Sequence, residues 1–270
     1  AWAGQHEQAI AAATAALKRT SLTADDRMAL LDLRSESFFA AGDLKRAEAD
    51  AHAMKALAKR EGGAALQARA LCRVSFMDLR RNERAAAATA TTALKAARRS
   101  RQPGLEAHCL WRLSFVLGFG QIDPDAAMKC AIRAASMFET LGDIAWQGRA
   151  LRAQSIACGH IGRSALATQT ATQALALARR CGDLLGQAMA LTSLAIRQVD
   201  LAAGLRLFNQ TLDLEKAAGY VLRQAQATGN IGDMYAKLGL YRRARRLTID
   251  AADIARNAGD LQSLLIWTSN

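Results

Sequence analysis

The residue types able to do chemistry are few in this chain and poorly assembled. Its four histidines, His6, His52, His108 and His160, stand far apart, with no His-x-x-x-His pair and no accompanying pair of acids. The five cysteines, Cys72, Cys109, Cys130, Cys158 and Cys181, contain no Cys-x-x-Cys spacing, so the short-range signature of a zinc site is missing. His108 and Cys109 are adjacent, but neighbouring helix residues point in different directions, which is wrong for a base and its nucleophile. Gly229-Asn-Ile-Gly232 lacks the Lys-Ser/Thr that completes a phosphate loop. Asp123-Pro124-Asp125 reads as a capped helix start rather than a calcium loop. These residues predict no catalytic group, no metal site and no cofactor, and hence a binding protein over this stretch.

Composition narrows the class further. Half of the 270 residues are hydrophobic (51%), but only 5% are aromatic and two are proline. Alanine dominates, β-branched alternation is missing, and long stretches are free to be helical. The expectation is an all-α fold. An odd number of unpatterned cysteines suits reduced thiols in the cytoplasm better than a disulfide frame. No apolar run approaches the ~18 residues of a membrane span. The net charge of +12 reads first as solvated helix surface, and second as a surface for an acidic partner or a nucleic acid.

The elements that would position any binding residue follow a forty-residue period. Ala47, Ala87, Ala127, Ala167 and Leu207 are spaced by forty, and Ala244 follows after a shorter step. Four and seven residues beyond each come further, mostly small residues, which marks one helix face. Gly142-Asp143, Gly182-Asp183 and Gly259-Asp260 recur in phase, a glycine ending one helix and an aspartate capping the next. The pattern predicts one solenoid over residues 1–270. Antiparallel helix pairs are expected at about 24–60, 64–100, 104–140, 144–180, 184–217 and 221–257, with partial repeats at 1–19 and 260–270. Both ends fall inside a repeat, so further chain is expected on either side.

The clearest repeat, Gly232-x-x-Tyr235-x-x-x-Gly239-x-Tyr241-x-x-Ala244, resembles the tetratricopeptide repeat. Ser35, Phe38, Gly42, Leu44 and Ala47 match it well, as do Ser155, Gly162 and Ala167. Residues 64–100 match less well, with Asp78 and Asn82 at the aromatic and glycine positions, and 184–217 least, with Ala202 and Leu207 at the turn positions. The resemblance implies a right-handed superhelix of helix pairs whose concave face is lined by the first helix of each pair. The forty-residue spacing and Gly-Asp joints look like repeats attached to bacterial nucleotide cyclases and transcriptional activators. A sensory or regulatory scaffold for signal transduction is therefore expected.

Carried onto this sequence, the concave register takes Asp32, Glu36, Phe39, Cys72, Thr192, Asp200, Asp233 and Lys237, and takes as the groove residues Phe76, Arg80, Trp111, Phe115, Phe119, Arg149, Arg152, Ile156, His160 and Ile196. Trp111, Phe115 and Phe119 would stack at i, i+4 and i+8 beside the Arg149/Arg152 pair, which would suit a peptide bearing acidic residues. The competing reading makes Trp111 and Phe115 ordinary core between repeats. A second candidate is the cluster Arg242, Arg243, Arg245 and Arg246, which lies early in its helix, against the helix dipole. It is the strongest lead for a nucleic-acid contact. End-to-end self-assembly through the terminal half-repeats is a third alternative.

Overall fold

The structure, a computed structural model, describes residues 4–268, and every regular element among them is a helix. The first seven are α1 (His6–Leu17), α2 (Ala24–Ala40), α3 (Leu44–Glu61), α4 (Ala64–Asp78), α5 (Glu83–Ser100), α6 (Pro103–Phe119) and α7 (Pro124–Thr140). The remainder are α8 (Ile144–His160), α9 (Ser164–Arg180), α10 (Leu184–Ala195), α11 (Leu201–Ala217), α12 (Val221–Lys237), α13 (Tyr241–Asn257) and α14 (Leu261–Thr268). Consecutive helices pack as antiparallel neighbours throughout.

Local chemistry sets the joints. The carboxylates of Asp43, Asp123, Asp143 and Asp183 each accept a hydrogen bond from the backbone N–H three residues on, and the Asn82 side chain does the same for Ala85. Such caps satisfy donors that a helix start leaves unpaired, at about 1 kcal/mol each. Just before Asp143 and Asp183, Gly142 and Gly182 hold φ of 70° and 68°, a left-handed conformation that a Cβ would strain.

The caps also define the true register of the repeat. In the second helices α3, α5, α7 and α9 the residue four beyond the N-cap position is buried: Ala47, Ala86, Ala127 and Ala167 are all fully enclosed. The expected Ala87 and Leu207 are therefore each out of register. Ala86 holds the place in α5 because Asn82 supplies the cap. In α11 Gly204 takes it, four beyond Asp200, where an added Cβ would stand 3.4 Å from the Ala195 carbonyl oxygen. Opposite this ladder the first helices carry small residues. Ser35 Oγ donates to the Ala47 carbonyl at 2.8 Å and Ser155 Oγ to that of Ala167 at 2.6 Å. Gly232 serves the same approach without a hydrogen bond, since its Cβ would sit 3.2 Å from Thr248 Oγ1.

The first helices α2, α4, α6, α8 and α10 touch in series, and α12, joined to α10 through α11, reaches back to α2. The superhelix thus closes on itself, which the repeat pattern alone did not predict. Leu222 of α12 packs with Phe38, Phe39, Val74 and Met77. Ala40 packs with Leu185, Met189, Ala218 and Tyr220. Polar contacts cross the same seam: Tyr220 Oη donates to Glu36 at 3.0 Å, His6 Nε2 donates to the Ala218 carbonyl at 2.9 Å, and Arg80 pairs with Asp260. Apolar burial supplies most of the attraction here, and these polar pairs fix where the two ends meet.

Candidate functional site

Closure turns the concave face into a central cleft of about 680 Å³, walled by α2, α4, α6 and α8 and finished by residues of α10 and α12. Phe39, Phe76, Trp111, Phe115, Trp146 and Tyr220 supply aromatic walls, and five arginines face two carboxylates across it. Aromatic packing is continuous. The Phe39 and Phe76 ring centroids lie 4.7 Å apart, Phe76 and Phe115 6.3 Å, Trp111 and Phe115 6.3 Å, and Trp111 and Trp146 4.7 Å. A second hollow, about 550 Å³ at the α3–α4 joint, has no aromatic lining.

Four of the expected groove residues, Phe76, Trp111, Phe115 and Arg149, line this cleft. Trp111 and Phe115 are both almost wholly buried, so they serve as core and as cleft wall at once. The other six do not line it. Phe119 continues the stack on Phe115 at 5.5 Å but is 41% exposed at the end of α6. Arg80 lies past the end of α4, over the Phe39 ring, where it pairs with Asp260. His160 is the last residue of α8, and Ile196 caps the short α10 and is 62% exposed. These four sit at or just past the C-terminal ends of their helices. Ile156 packs towards Gly118. Arg152 turns away and donates to the Met189 carbonyl at 3.1 Å.

The cleft also holds Asp32, Glu36, Phe39 and Cys72 of the concave register, and with them Arg73, Arg112, His108, Trp146 and Tyr220, which the register did not single out. Arg73 donates to Asp32 at 2.7 Å and to Glu36 at 2.6 Å, and Glu36 in turn accepts from Tyr220. Burial would raise the Glu36 carboxyl, but Arg73, Arg112 and the Tyr220 hydroxyl together hold it down at about 2. Arg112 lies over Phe76 and over Trp111, 4.4 Å from each ring centroid. Arg149 lies over Trp146 and pairs with Asp183 at 3.1 Å. Burial pushes His108 down to about 4, so it is a neutral ring wedged against Trp146 at 4.2 Å. Contact with the Cys109 thiol lowers the Cys72 thiol below its ordinary value, with Arg112 also favouring the thiolate.

A sequence signal for Arg73 and Arg112 existed. Each follows directly on a mapped concave position, Cys72 and Trp111, in consecutive repeats. A cleft closed on all sides recruits this flanking position, which an open groove leaves at its edge.

Among the described residues no group of three or more His, Cys, Asp or Glu is placed to hold a metal ion, and no helix is long and apolar enough to cross a membrane. The basic quartet, Arg242, Arg243, Arg245 and Arg246, lies exposed on α13, remote from the cleft lining.

No family model matches the sequence, and no curated protein is similar to it in sequence. Solved structures are similar in fold. A Rap protein complexed with Competence and Sporulation Factor has a TM-score of 0.76 at 13% identity, over 98% of this chain and 76% of that one. NprR in complex with its cognate peptide NprX has a TM-score of 0.71 at 11% identity, over 99% of this chain and 80% of that one. A signal transduction ATPase with numerous domains from Pyrococcus horikoshii, bearing a tetratricopeptide repeat sensor, has a TM-score of 0.54 at 11% identity. It is matched over 98% of this chain and 42% of that one, so the chain spans less than half of that protein. The fold is a solenoid of the tetratricopeptide type.

Proposed function

We propose that this tetratricopeptide-type solenoid is a non-catalytic regulatory module that binds a short extended peptide in its central cleft. The observation that carries the reading is the closed concave face: a lined cleft of about 680 Å³ with continuous aromatic walls and fixed polar groups. That volume lies in the range of ligand pockets and suits a stretch of peptide better than a folded domain. Aromatic rings and arginines are the side chains that contribute most at peptide-binding hot spots. Two of the similar structures hold ligands, NprR its cognate peptide and the Rap protein Competence and Sporulation Factor. The module acts in the cytoplasm, where its free thiols stay reduced, and passes ligand occupancy to an effector such as a nucleotide cyclase or a transcriptional regulator.

The test is affinity selection from random short peptides on the immobilised protein, comparing the wild type with Phe76→Ala. Peptides retained by the wild type are expected to bind the variant at least about tenfold more weakly, as for loss of a buried aromatic contact. Hydrogen exchange on the wild type should show bound peptide protecting α4, α6 and α8. Equal retention by both proteins, with protection outside these helices, would remove the cleft from consideration.

A further inference from the structure

Resting on that reading, we infer that Arg112 is a carboxylate anchor within the cleft, so the peptide is held there by an acidic side chain or by its own C-terminus. Arg112 lines the cleft and is 7% exposed. The other buried cleft arginines have carboxylates of their own: Arg73 pairs with Asp32 and Glu36, and Arg149 with Asp183. The half-exposed Arg69 pairs with Asp25, and Arg223, which has no ion pair among the described residues, is only partly buried. Among the described residues Arg112 has no ion pair, and its buried Nε has no hydrogen-bond partner. It meets ring faces, Phe76 and Trp111 at 4.4 Å and Phe115 at 6.0 Å, together with the Cys72 thiol, and it lies near Glu36, which Arg73 and Tyr220 already engage.

Ring contact orients a guanidinium but does not replace water at its N–H groups. A cation that is nine-tenths buried with no carboxylate of its own is costly in the empty protein. The cost is recovered if a ligand carboxylate accepts from the planar fork, whose geometry matches it in a bidentate pair. The flanking rings then leave apolar surface for the residue beside that carboxylate. The planar fork between ring faces therefore suits a carboxylate.

Three pools of random short peptides at equal concentration separate the sources. The first has free C-termini and no acidic residue, the second is amidated with one Asp or Glu, and the third is amidated with none. Wild-type protein is expected to retain the first or the second pool at least about tenfold over the third, as for one charge-assisted pair. Preference for the first places a C-terminus on Arg112, and preference for the second places a side chain there. Arg112→Gln should retain all three pools alike, and Arg112→Lys should recover part of the preference.

The empty Arg112→Gln protein should melt within about 4 °C of the wild type, because the cost of a buried cation is removed while Glu36 keeps Arg73 and Tyr220. Retention of the neutral amidated pool equal to the others overturns the anchor while leaving peptide binding intact. So does a preference that survives in Arg112→Gln, or a melting temperature lowered by about 4 °C or more, which would make Arg112 a structural residue. Failure to retain any pool overturns the peptide reading as well.

Discussion

Arg73 and Arg112, on α4 and α6, are each 7% exposed and lie against the faces of aromatic rings. Arg242, Arg243, Arg245 and Arg246, on α13, stand in solvent. The same residue type is thus held in two physical states a few helices apart. In the cleft the guanidinium loses its hydration, so it needs carboxylates, ring faces or a ligand to make up the loss. On α13 water supplies that need, and a neighbouring carboxylate would add at most about 1 kcal/mol. Net charge counts both groups alike, whereas their effect on stability and binding depends on burial.

The largest expected effect is at the inner extreme. Arg73→Met keeps an unbranched chain of similar length but leaves Glu36 buried against Tyr220 without its cation. Removing one partner of a buried pair is far worse than never having built it. We expect a loss of about 3 kcal/mol in urea-induced unfolding. The double variant Arg73→Met, Glu36→Gln should recover a large part of it, because no orphan charge is left. A loss below about 0.5 kcal/mol would place Arg73 in the same class as the exposed arginines.

An intermediate case lies behind the cleft. Glu215 is 2% exposed, and its Oε2 has no hydrogen-bond partner among the described residues. Burial raises its carboxyl from 4.5 to about 7, with Arg223 and Arg152 only partly opposing the shift. Arg152, lowered to about 9 by burial and then by Arg223, donates to the Met189 carbonyl. Because the folded value is above the unfolded one, Glu215 contributes stability that is complete below about pH 4.5. That contribution is lost as pH rises through about 7. His108, depressed to about 4, pulls the other way up to about pH 6.5, so the wild-type curve mixes the two. Subtracting the Glu215→Gln curve isolates the glutamate. The wild type should lose on the order of 2 kcal/mol relative to the variant between pH 4.5 and 7.5. Parallel curves would show that Glu215 is ionised at neutral pH and paired.

The fold was legible because its constraints are local and repeated. Cap, glycine and small residue recur at fixed offsets, and each acts on its own turn or its nearest neighbour. The register failed only where the cap changed or the first helix was cut short, at Asn82 and at Asp200. The site was less legible, because closure is a property of accumulated rotation over the whole chain. Tyr220 meets Glu36 across 184 residues, and no local period records that encounter. Trp267, about one repeat beyond Gly229, is a different case, a neighbour contact that the small-residue motif hides. It fills the space that Gly229 leaves open, where an added Cβ would run into its ring, although in the sequence Gly229 looks like part of the Gly232 motif. Arg152 shares the concave register with Cys72 and Trp111, yet its side chain follows the carbonyl it can reach. Register predicts which face a residue starts from, and hydrogen-bond demand decides where a long side chain ends.

The smallest effect is expected at the outer extreme. Arg242, Arg243, Arg245 and Arg246 form no ion pair among those of the described residues, and Arg243 alone touches a ring, 5.8 Å from the Tyr235 centroid. Four positive charges in the first turns of a helix oppose its dipole by a few tenths of a kcal/mol each. Replacing all four with Gln should therefore change unfolding stability by no more than about 1 kcal/mol, in the stabilising direction, and leave peptide selection by the cleft unaltered. The same variant decides whether the quartet binds nucleic acid. Wild-type affinity for a random duplex would then fall steeply with salt, and the quadruple variant would lose both the affinity and the slope. Equal duplex affinity for wild type and variant would leave the quartet as solvated surface. A variant destabilised by 2 kcal/mol or more would mean that these arginines carry structure as the inner ones do, and the contrast between the two regions would collapse.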